Sequence, residues 1–329
     1  MYSLLRPLLF RLDAERAHSA TLHLLRLVGA IPPLAALVRR LYRPPEAPVE
    51  VFGLRFANPL GLAAGYDKDA LAWRGLACLG FGHIEIGTVT PRPQPGNPRP
   101  RVFRLVEDSA LINRLGFPSR GADFVARRLG GSRPKGFVLG VNLGVNKDTT
   151  LEKAAEDYGT MMDTFSPLAD YLTINVSSPN TAGLRQLQAG PLLDTLLKEL
   201  AARRKVPLLV KLAPDLTEAQ LDEALDVLVS NKVDGVIATN TTVSRPVLHS
   251  SHASESGGLS GAPLTALSRK VVGHIYTRTS GRLPIVAAGG IMSRQDAQAA
   301  LNAGASLVQV YTGLVYHGPG LVREILEAE

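Results

Sequence analysis

The chain has 329 residues, of which 45% are hydrophobic and 20% charged. This balance is typical of a folded globular protein and excludes a disordered one. A single cysteine, Cys78, excludes an intrachain disulfide and a cysteine-rich metal site. Of the net charge of +7, residues 1–45 contribute +5, from seven arginines against two acidic residues. A charge confined to one short segment favours an anionic phospholipid surface or an acidic partner over nucleic acid.

The first 45 residues contain two amphipathic stripes. One places Leu4, Leu8 and Leu12 on a helical face, and the other follows residues 32 and 33, both proline, with leucines at helical spacing. Neither stripe is an uncharged run of the roughly 20 residues that a membrane-spanning helix needs. Early charged residues also interrupt any signal peptide, so we expect a cytoplasmic chain. The helices can pack on the rest of the protein or contact a membrane surface, and both interpretations stay open.

From about residue 58, short apolar runs alternate with stretches of helical length. The runs cover residues 59–64, 83–88, 137–143, 171–176, 207–212, 235–239, 283–287 and 306–311. Eight such repeats predict a (β/α)8 barrel of the TIM type, with a doubly wound sheet as the alternative. One helix is expected over 217–229, with Thr217 as its N-cap. We therefore divide the chain into an N-terminal two-helix extension, 1–45, and a barrel, 46–329.

Polar residues and glycines follow the predicted strands at their carboxyl ends, which share one rim in a barrel. The glycine pairs at 257–258 and 289–290 predict a phosphate site, because glycine lets backbone N–H groups approach an oxyanion closely. A set of asparagines suits a planar ring that alternates C=O and N–H groups. These are Asn113, Asn142, Asn175, Asn180 and Asn240.

Two lysines, Lys68 and Lys211, also fall at the predicted rim. Lys211 follows an apolar strand, so it can form a Schiff base, stabilise negative charge on a cofactor or substrate, or be structural. No histidine or acidic cluster has metal-ligand spacing and no Ser-His-Asp arrangement is evident, so we predict neither a metal site nor triad chemistry.

These motifs, in this order, resemble the dihydroorotate dehydrogenase family over essentially the whole chain. The matching segments are 15–18 (Glu-Arg-Ala-His), 58–65 (Asn-Pro-Leu-Gly-Leu-Ala-Ala-Gly), 85–97 (Glu-Ile-Gly-Thr-Val-Thr-Pro-Arg-Pro-Gln-Pro-Gly-Asn), 113–117 (Asn-Arg-Leu-Gly-Phe), 177–180 (Ser-Ser-Pro-Asn), 238–242 (Ala-Thr-Asn-Thr-Thr) and 258–261 (Gly-Leu-Ser-Gly). The resemblance implies a barrel that binds FMN and oxidises (S)-dihydroorotate to orotate in pyrimidine (UMP) biosynthesis, with FMN as the hydride acceptor. Tyr66 and Val145 depart from the family pattern, where a smaller aliphatic residue and a lysine are usual.

The resemblance also assigns roles by motif match. The residues that would hold FMN are Ala64, Gly65, Tyr66, Asp67, Lys68, Thr88, Asn142, Asn175, Lys211, Thr239, Gly261, Gly290, Tyr311 and Thr312. Those that would hold the substrate are Lys68, Asn113, Arg114, Leu115, Gly116, Phe117, Asn175, Asn180, Asn240 and Thr241. Ser178 would be the catalytic base that removes the C5 proton, and Thr181 with a water is our candidate relay, because an unaided serine is a poor base.

Serine rather than cysteine as the base, together with the N-terminal helices, indicates the quinone-linked class of the family. We then expect a monomer bound peripherally to the cytoplasmic side of the inner membrane, with a membrane quinone as final electron acceptor. His18, Arg104 and Tyr311 would contact the quinone head group. The rivals are a soluble-class enzyme that uses fumarate or NAD, an aldolase that uses Lys211, and a peripheral membrane-binding module without activity.

Overall fold

The computed structural model describes residues 2–134 and 136–327. Its strands, β1 to β13 in chain order, are Val49–Val51, Leu54–Phe56, Leu60–Leu62, His83–Val89, Val102–Leu105, Ala110–Asn113, Val138–Leu143, Tyr171–Asn175, Leu208–Leu212, Gly235–Ala238, Gly258–Gly261, Ile285–Ala288 and Leu307–Val310. Its helices, α1 to α12, are Tyr2–Arg11, Ala14–Ala30, Pro32–Leu41, Trp73–Leu76, Ala122–Leu129, Ala154–Phe165, Gly190–Leu200, Glu218–Ser230, Thr265–Thr279, Arg294–Asn302, Thr312–His317 and Leu321–Leu326.

Eight parallel strands close into a barrel in the order β3, β4, β7, β8, β9, β10, β12 and β13. Each of the eight predicted runs overlaps one of these strands, so the predicted (β/α)8 architecture is confirmed. The strands are mainly apolar because helices cover the outside of the barrel while side chains fill its interior. Every residue of β4, β7, β8 and β9 is buried.

The helix predicted over 217–229 is α8, and its start is fixed by a capping box. Thr217 Oγ1 accepts from the Gln220 amide at 3.2 Å, while the Gln220 side chain accepts from the Thr217 amide at 3.0 Å. Each residue thus satisfies a backbone donor that the first turn leaves unpaired.

The N-terminal extension contains three helices, one more than we predicted. The two amphipathic stripes are α1 and α3, and α2 lies between them with Asp13 as its N-cap. Because α2 packs along α4, the extension is attached to the barrel. Among the described residues, no single helix is long and apolar enough to cross a membrane; α2 and α3 pass that test only as a pair, bent by 108° at the break between them.

Two small antiparallel sheets flank the barrel, and the sequence analysis predicted neither. The hairpin β1–β2 packs Val51 and Phe56 against interior side chains of several barrel strands. The sheet β5–β6–β11 joins segments that are far apart in sequence, and its β6 and β11 end beside the rim of the barrel. This second sheet forms one wall of the cavity described next.

Candidate active site at the barrel rim

A cavity of about 960 Å³, including its open mouth, lies at the carboxyl ends of the barrel strands. Most of the residues assigned by motif line it. These are Ala64, Gly65, Lys68, Thr88, Asn113, Leu115, Gly116, Phe117, Asn175, Ser178, Asn180, Lys211, Thr239, Asn240, Thr241, Gly261, Gly290, Tyr311 and Thr312. The rim therefore brings together residues from all along the barrel, as its topology predicts.

A network of carboxamides forms the floor of this cavity. Asn175, at the end of β8, donates through Nδ2 to Thr88 Oγ1 (3.1 Å) and to Asn142 Oδ1 (3.0 Å). Its Oδ1 faces Asn240 Nδ2 at 3.4 Å. Because each amide group has one donor end and one acceptor end, these bonds fix the orientation of every asparagine in the network.

The loop after β8 carries Ser178 close to two of the asparagines. Ser178 is only 4% exposed, and its Oγ accepts from the Asn180 amide at 3.2 Å. Asn180 Nδ2 in turn lies 3.2 Å from the carbonyl oxygen of Asn113. Ser178, Asn180 and Asn113 thus share one side of the cavity, where a ligand can contact all three.

Both lysines lie at the cavity wall, where Lys211 is buried and Lys68 is partly buried. Burial, the largest effect, lowers the pKa of Lys68 to about 8, and its Nζ donates to the Gly65 carbonyl at 2.6 Å. Burial also lowers the pKa of Lys211, whereas the Glu85 carboxylate acts in the opposite direction. Two ammonium groups that are costly to desolvate line one cavity, which makes it attractive to an anionic ligand.

Glycine loops form the opposite end of the cavity. Gly289 and Gly290 have φ values of +105° and +75°, and a Cβ at Gly290 would lie 2.3 Å from the Thr265 Cα. Within the described residues, neither glycine amide donates to a protein acceptor. Gly261, with φ +95°, lies beside Thr312. Only glycine fits these positions, and it leaves backbone N–H groups free for an oxyanion.

Four motif-assigned residues lie outside the cavity lining. Asn142 lies beneath the floor and is fully buried. Asp67 accepts from the Leu71 and Ala72 amides and so holds its own loop. Tyr66 packs behind Tyr311, and Arg114 forms an ion pair with Glu255 at 2.6 Å.

The three residues assigned to the quinone do not form one cluster. His18 packs edge-on against Tyr66 (4.9 Å between ring centroids), and Tyr66 packs against Tyr311 (5.7 Å), so this series of rings leads from α2 to the cavity wall. Burial, followed by the charge of Lys68, lowers the pKa of His18 to about 4, so its ring is neutral at pH 7. Arg104 instead lies over the Phe10 ring of α1 and donates to the Leu9 carbonyl.

The sequence analysis assigned no role to one charged residue in the barrel interior. Glu85 stands in the apolar run of β4, is fully buried, and accepts from Asn142 Nδ2 at 2.8 Å. A carboxylate in the middle of an apolar strand was the available signal, because such a group is retained only where donors surround it.

A closed (β/α)8 barrel with convergent polar side chains at its carboxyl rim is the architecture of a barrel enzyme. The family model for dihydroorotate dehydrogenase matches residues 46–328. The chain is 52% identical to the dihydroorotate dehydrogenase (quinone) of Roseiflexus sp. (strain RS-1), over 99% of this chain and 92% of that protein. It is 53% identical to the protein of that name from Acidithiobacillus ferrooxidans, over 99% of this chain and 93% of the relative.

Among solved structures, DHODH from Eimeria tenella in complex with ferulenol matches with a TM-score of 0.85 and 39% identity, over 95% of this chain and 89% of that one. The ligand-free form from the same organism matches with a TM-score of 0.82. The chain belongs to the dihydroorotate dehydrogenase family of oxidoreductases, which confirms the family inferred from the motifs.

Proposed function

We propose that this protein oxidises (S)-dihydroorotate to orotate in pyrimidine biosynthesis, with FMN in the rim cavity and a membrane quinone as final electron acceptor. The observation that carries this proposal is the composition of a single cavity. Ser178 and the carboxamides line it together with Lys211 and the glycine loops. One cavity thus contains a serine that can act as a base, carboxamides that can bind an imide ring, and glycine amides that can bind a phosphate.

The cavity residues fit FMN. The unpaired amides of Gly289 and Gly290 suit its phosphate, and a Cβ at Gly290 would displace the Thr265 backbone. Lys211 supplies a buried positive charge for the polar edge of the flavin ring. Thr88 and Asn175 offer the same ring a hydroxyl and an amide group, each of which can donate and accept. When bound, FMN supplies the redox chemistry, which no side chain in the cavity can perform.

The remaining cavity residues suit dihydroorotate. Lys68 supplies a cation for the substrate carboxylate, and Asn113, Asn180 and Asn240 supply donors and acceptors for the ring imide. Residues 115–117 and Thr241 complete the wall around this group, and Arg114 supports it through Glu255.

Ser178 Oγ removes the C5 proton of the substrate. The backbone amide of Asn180 donates to this Oγ and holds the hydroxyl in place. A serine hydroxyl needs an acceptor for its own proton, and we assign that relay to Thr181 with a water.

The N-terminal extension, residues 1–45, serves as the membrane-facing part, and residues 46–329 as the FMN-binding barrel. Leu4, Leu5 and Leu8 of α1 are 78%, 56% and 59% exposed, and Leu37 and Leu41 of α3 are 53% and 57% exposed. Exposed leucines on arginine-rich amphipathic helices favour peripheral binding to an anionic phospholipid surface, here the cytoplasmic side of the cell membrane. The rings of His18, Tyr66 and Tyr311 lie between this extension and the cavity, where a quinone arriving from the bilayer would enter.

The test is turnover by the purified protein. We expect a yellow protein that forms orotate from dihydroorotate only when a quinone is supplied, with fumarate and NAD inactive as acceptors. A colourless protein that forms a borohydride-trappable adduct at Lys211 would instead indicate aldolase chemistry. Turnover with fumarate or NAD at the quinone rate would place the protein in a soluble class.

A further inference from the structure

A buried polar network lies directly beneath the cavity and centres on Glu85. Asn142 donates to its Oε1 at 2.8 Å, while Tyr171, Thr173 and Gln309 lie 3.1, 3.2 and 3.3 Å from its Oε2 and donate to it. All five side chains are at most 1% exposed. Since every neighbour of Glu85 donates, the site suits an ionised carboxylate, which only accepts.

The network reaches the cavity at two points: Gln309 lines the cavity directly, and the other connection runs through Asn142. Because its Nδ2 is committed to Glu85, its Oδ1 accepts from Thr88 Oγ1 (2.6 Å) and from Asn175 Nδ2 (3.0 Å). The Asn175 Oδ1 accepts from the backbone amide and the hydroxyl of Ser177 (3.3 and 3.0 Å) and faces Asn240 Nδ2 (3.4 Å). Thr88, Asn175 and Asn240 line the cavity, whereas Glu85 and Asn142 do not.

An amide can rotate by 180° and exchange its donor and acceptor ends, but a carboxylate offers only acceptors. Glu85 therefore fixes the direction of Asn142 from one end of the network, and the Ser177 backbone N–H, which only donates, fixes that of Asn175 from the other end. We propose that Glu85 is a positioning residue: it directs Asn142 so that the Asn142 Oδ1 accepts from Thr88 and Asn175, and so holds these two cavity side chains in place for a planar imide ligand. This inference rests on the proposed function, in which that ligand is dihydroorotate or orotate.

Two substitutions separate hydrogen-bond direction from charge. In Glu85→Met the Asn142 amide loses its acceptor, and a rotated Asn142 would direct its Nδ2 at the Nδ2 of Asn175, whose orientation the Ser177 backbone N–H holds. Glu85→Gln removes the charge but retains an oxygen for Asn142. The amide nitrogen of the new glutamine would face Gln309 and the hydroxyls of Tyr171 and Thr173. Both hydroxyls can accept a hydrogen bond.

Gln309 is able to adapt to this change. Its Oε1 is buried and has no hydrogen-bond partner among the described residues. A rotation of the Gln309 amide would therefore place an acceptor opposite the new donor of Glu85→Gln without breaking a bond made by that oxygen.

The experiment measures orotate binding by calorimetry, which needs no turnover, together with FMN content and thermal unfolding. Glu85→Met should weaken orotate about tenfold or more, since a misdirected amide leaves polar groups unpaired in a closed site. The orotate affinity of Glu85→Gln should stay within about threefold of the wild-type value, because the direction of the Asn142 hydrogen bonds is preserved. Glu50→Met, at an exposed position of β1, is the matched control.

Asn142→Ala completes a double-mutant cycle. It should itself weaken orotate about tenfold, and adding Glu85→Met should then change binding little, because Glu85 acts through Asn142. If Glu85→Met does not fold, the contrast between Asn142→Ala and Glu85→Gln tests the same inference.

Three results would overturn the inference. The first is a folded Glu85→Met protein whose orotate affinity stays within about threefold of the wild type. The second is a Glu85→Gln protein that loses as much affinity as Glu85→Met, since charge rather than direction would then matter. The third is full additivity of Glu85→Met and Asn142→Ala. A wild-type protein that neither binds orotate nor oxidises dihydroorotate would instead refute the proposed function.

Discussion

Besides the packing of α2 along α4, a largely buried ion pair holds the N-terminal extension on the barrel. Glu15 of α2 accepts from Arg101 Nε at 3.1 and 3.2 Å and from Nη2 at 3.0 Å. The Arg101 side chain is 7% exposed and that of Glu15 is 19% exposed. Arg101 Nη1 also donates to the carbonyls of Pro95 and Asn97 at 2.7 and 2.8 Å. Glu15→Gln would therefore leave a buried guanidinium without its counter-charge.

The cost follows from this geometry. Removing one partner of a fully buried ion pair costs roughly 3–5 kcal/mol. Here Glu15 is partly exposed and Arg101 keeps two carbonyl acceptors, so we expect Glu15→Gln to lower the free energy of unfolding by about 2–3 kcal/mol. Arg99 is the control, because it contacts the same carboxylate at 3.2 Å but is 72% exposed. Arg99→Ala should lower the free energy of unfolding by no more than about 1 kcal/mol.

Urea unfolding measures both variants, and amide hydrogen exchange localises the effect. Glu15→Gln should lower the unfolding midpoint and reduce the protection of α2 before that of the barrel strands. Equal destabilisation by Glu15→Gln and Arg99→Ala would refute the argument. So would unchanged exchange in α2, because the ion pair would then not hold the extension in place.

Three further outcomes follow from the site and the extension. Orotate binding should weaken as pH rises above about 8, because the pKa of Lys68 is lowered to about 8 by burial and its charged form is lost there; Lys68→Met should bind more weakly with no such dependence in a titration from pH 7 to 9.5. Asn240→Ala should cost orotate affinity about 1–3 kcal/mol while FMN is retained, and a colourless variant would place Asn240 in the flavin site instead. Leu5→Glu with Leu8→Glu should abolish liposome binding and turnover with a long-tailed quinone but spare a short soluble quinone, and full activity with both quinones would indicate that α1 only braces the barrel.

The barrel was predictable because its information is local. Each barrel strand is a short, mainly apolar run, and α8 carries both halves of its capping box within four residues. The sheet β5–β6–β11 was not predictable in this way. Its strands have four residues each, and β11 pairs Gly258 with Asn113, a partner far away in sequence. The helix α2 was not predicted, although Leu22, Leu25 and Val28 follow one another at helical spacing and pack against buried clusters.

The site was predictable as a set of residues but not as a set of orientations. Strand ends and motifs placed most lining residues correctly, because a parallel barrel gathers its carboxyl ends on one rim. Asn142, for example, directs its Nδ2 toward Glu85 and its Oδ1 toward Thr88 and Asn175. Side-chain direction depends on partners from other strands, which no local pattern specifies.

The central claim is that the rim cavity is where dihydroorotate loses its C5 proton, to Ser178. The direct measurement is a single turnover of Ser178→Ala, mixed anaerobically with dihydroorotate while the visible absorbance of the flavin is followed. We expect FMN content and orotate affinity close to those of the wild type, with bleaching about 10²–10⁴-fold slower, the range for removing a positioned general base. Bleaching at the wild-type rate would contradict the claim.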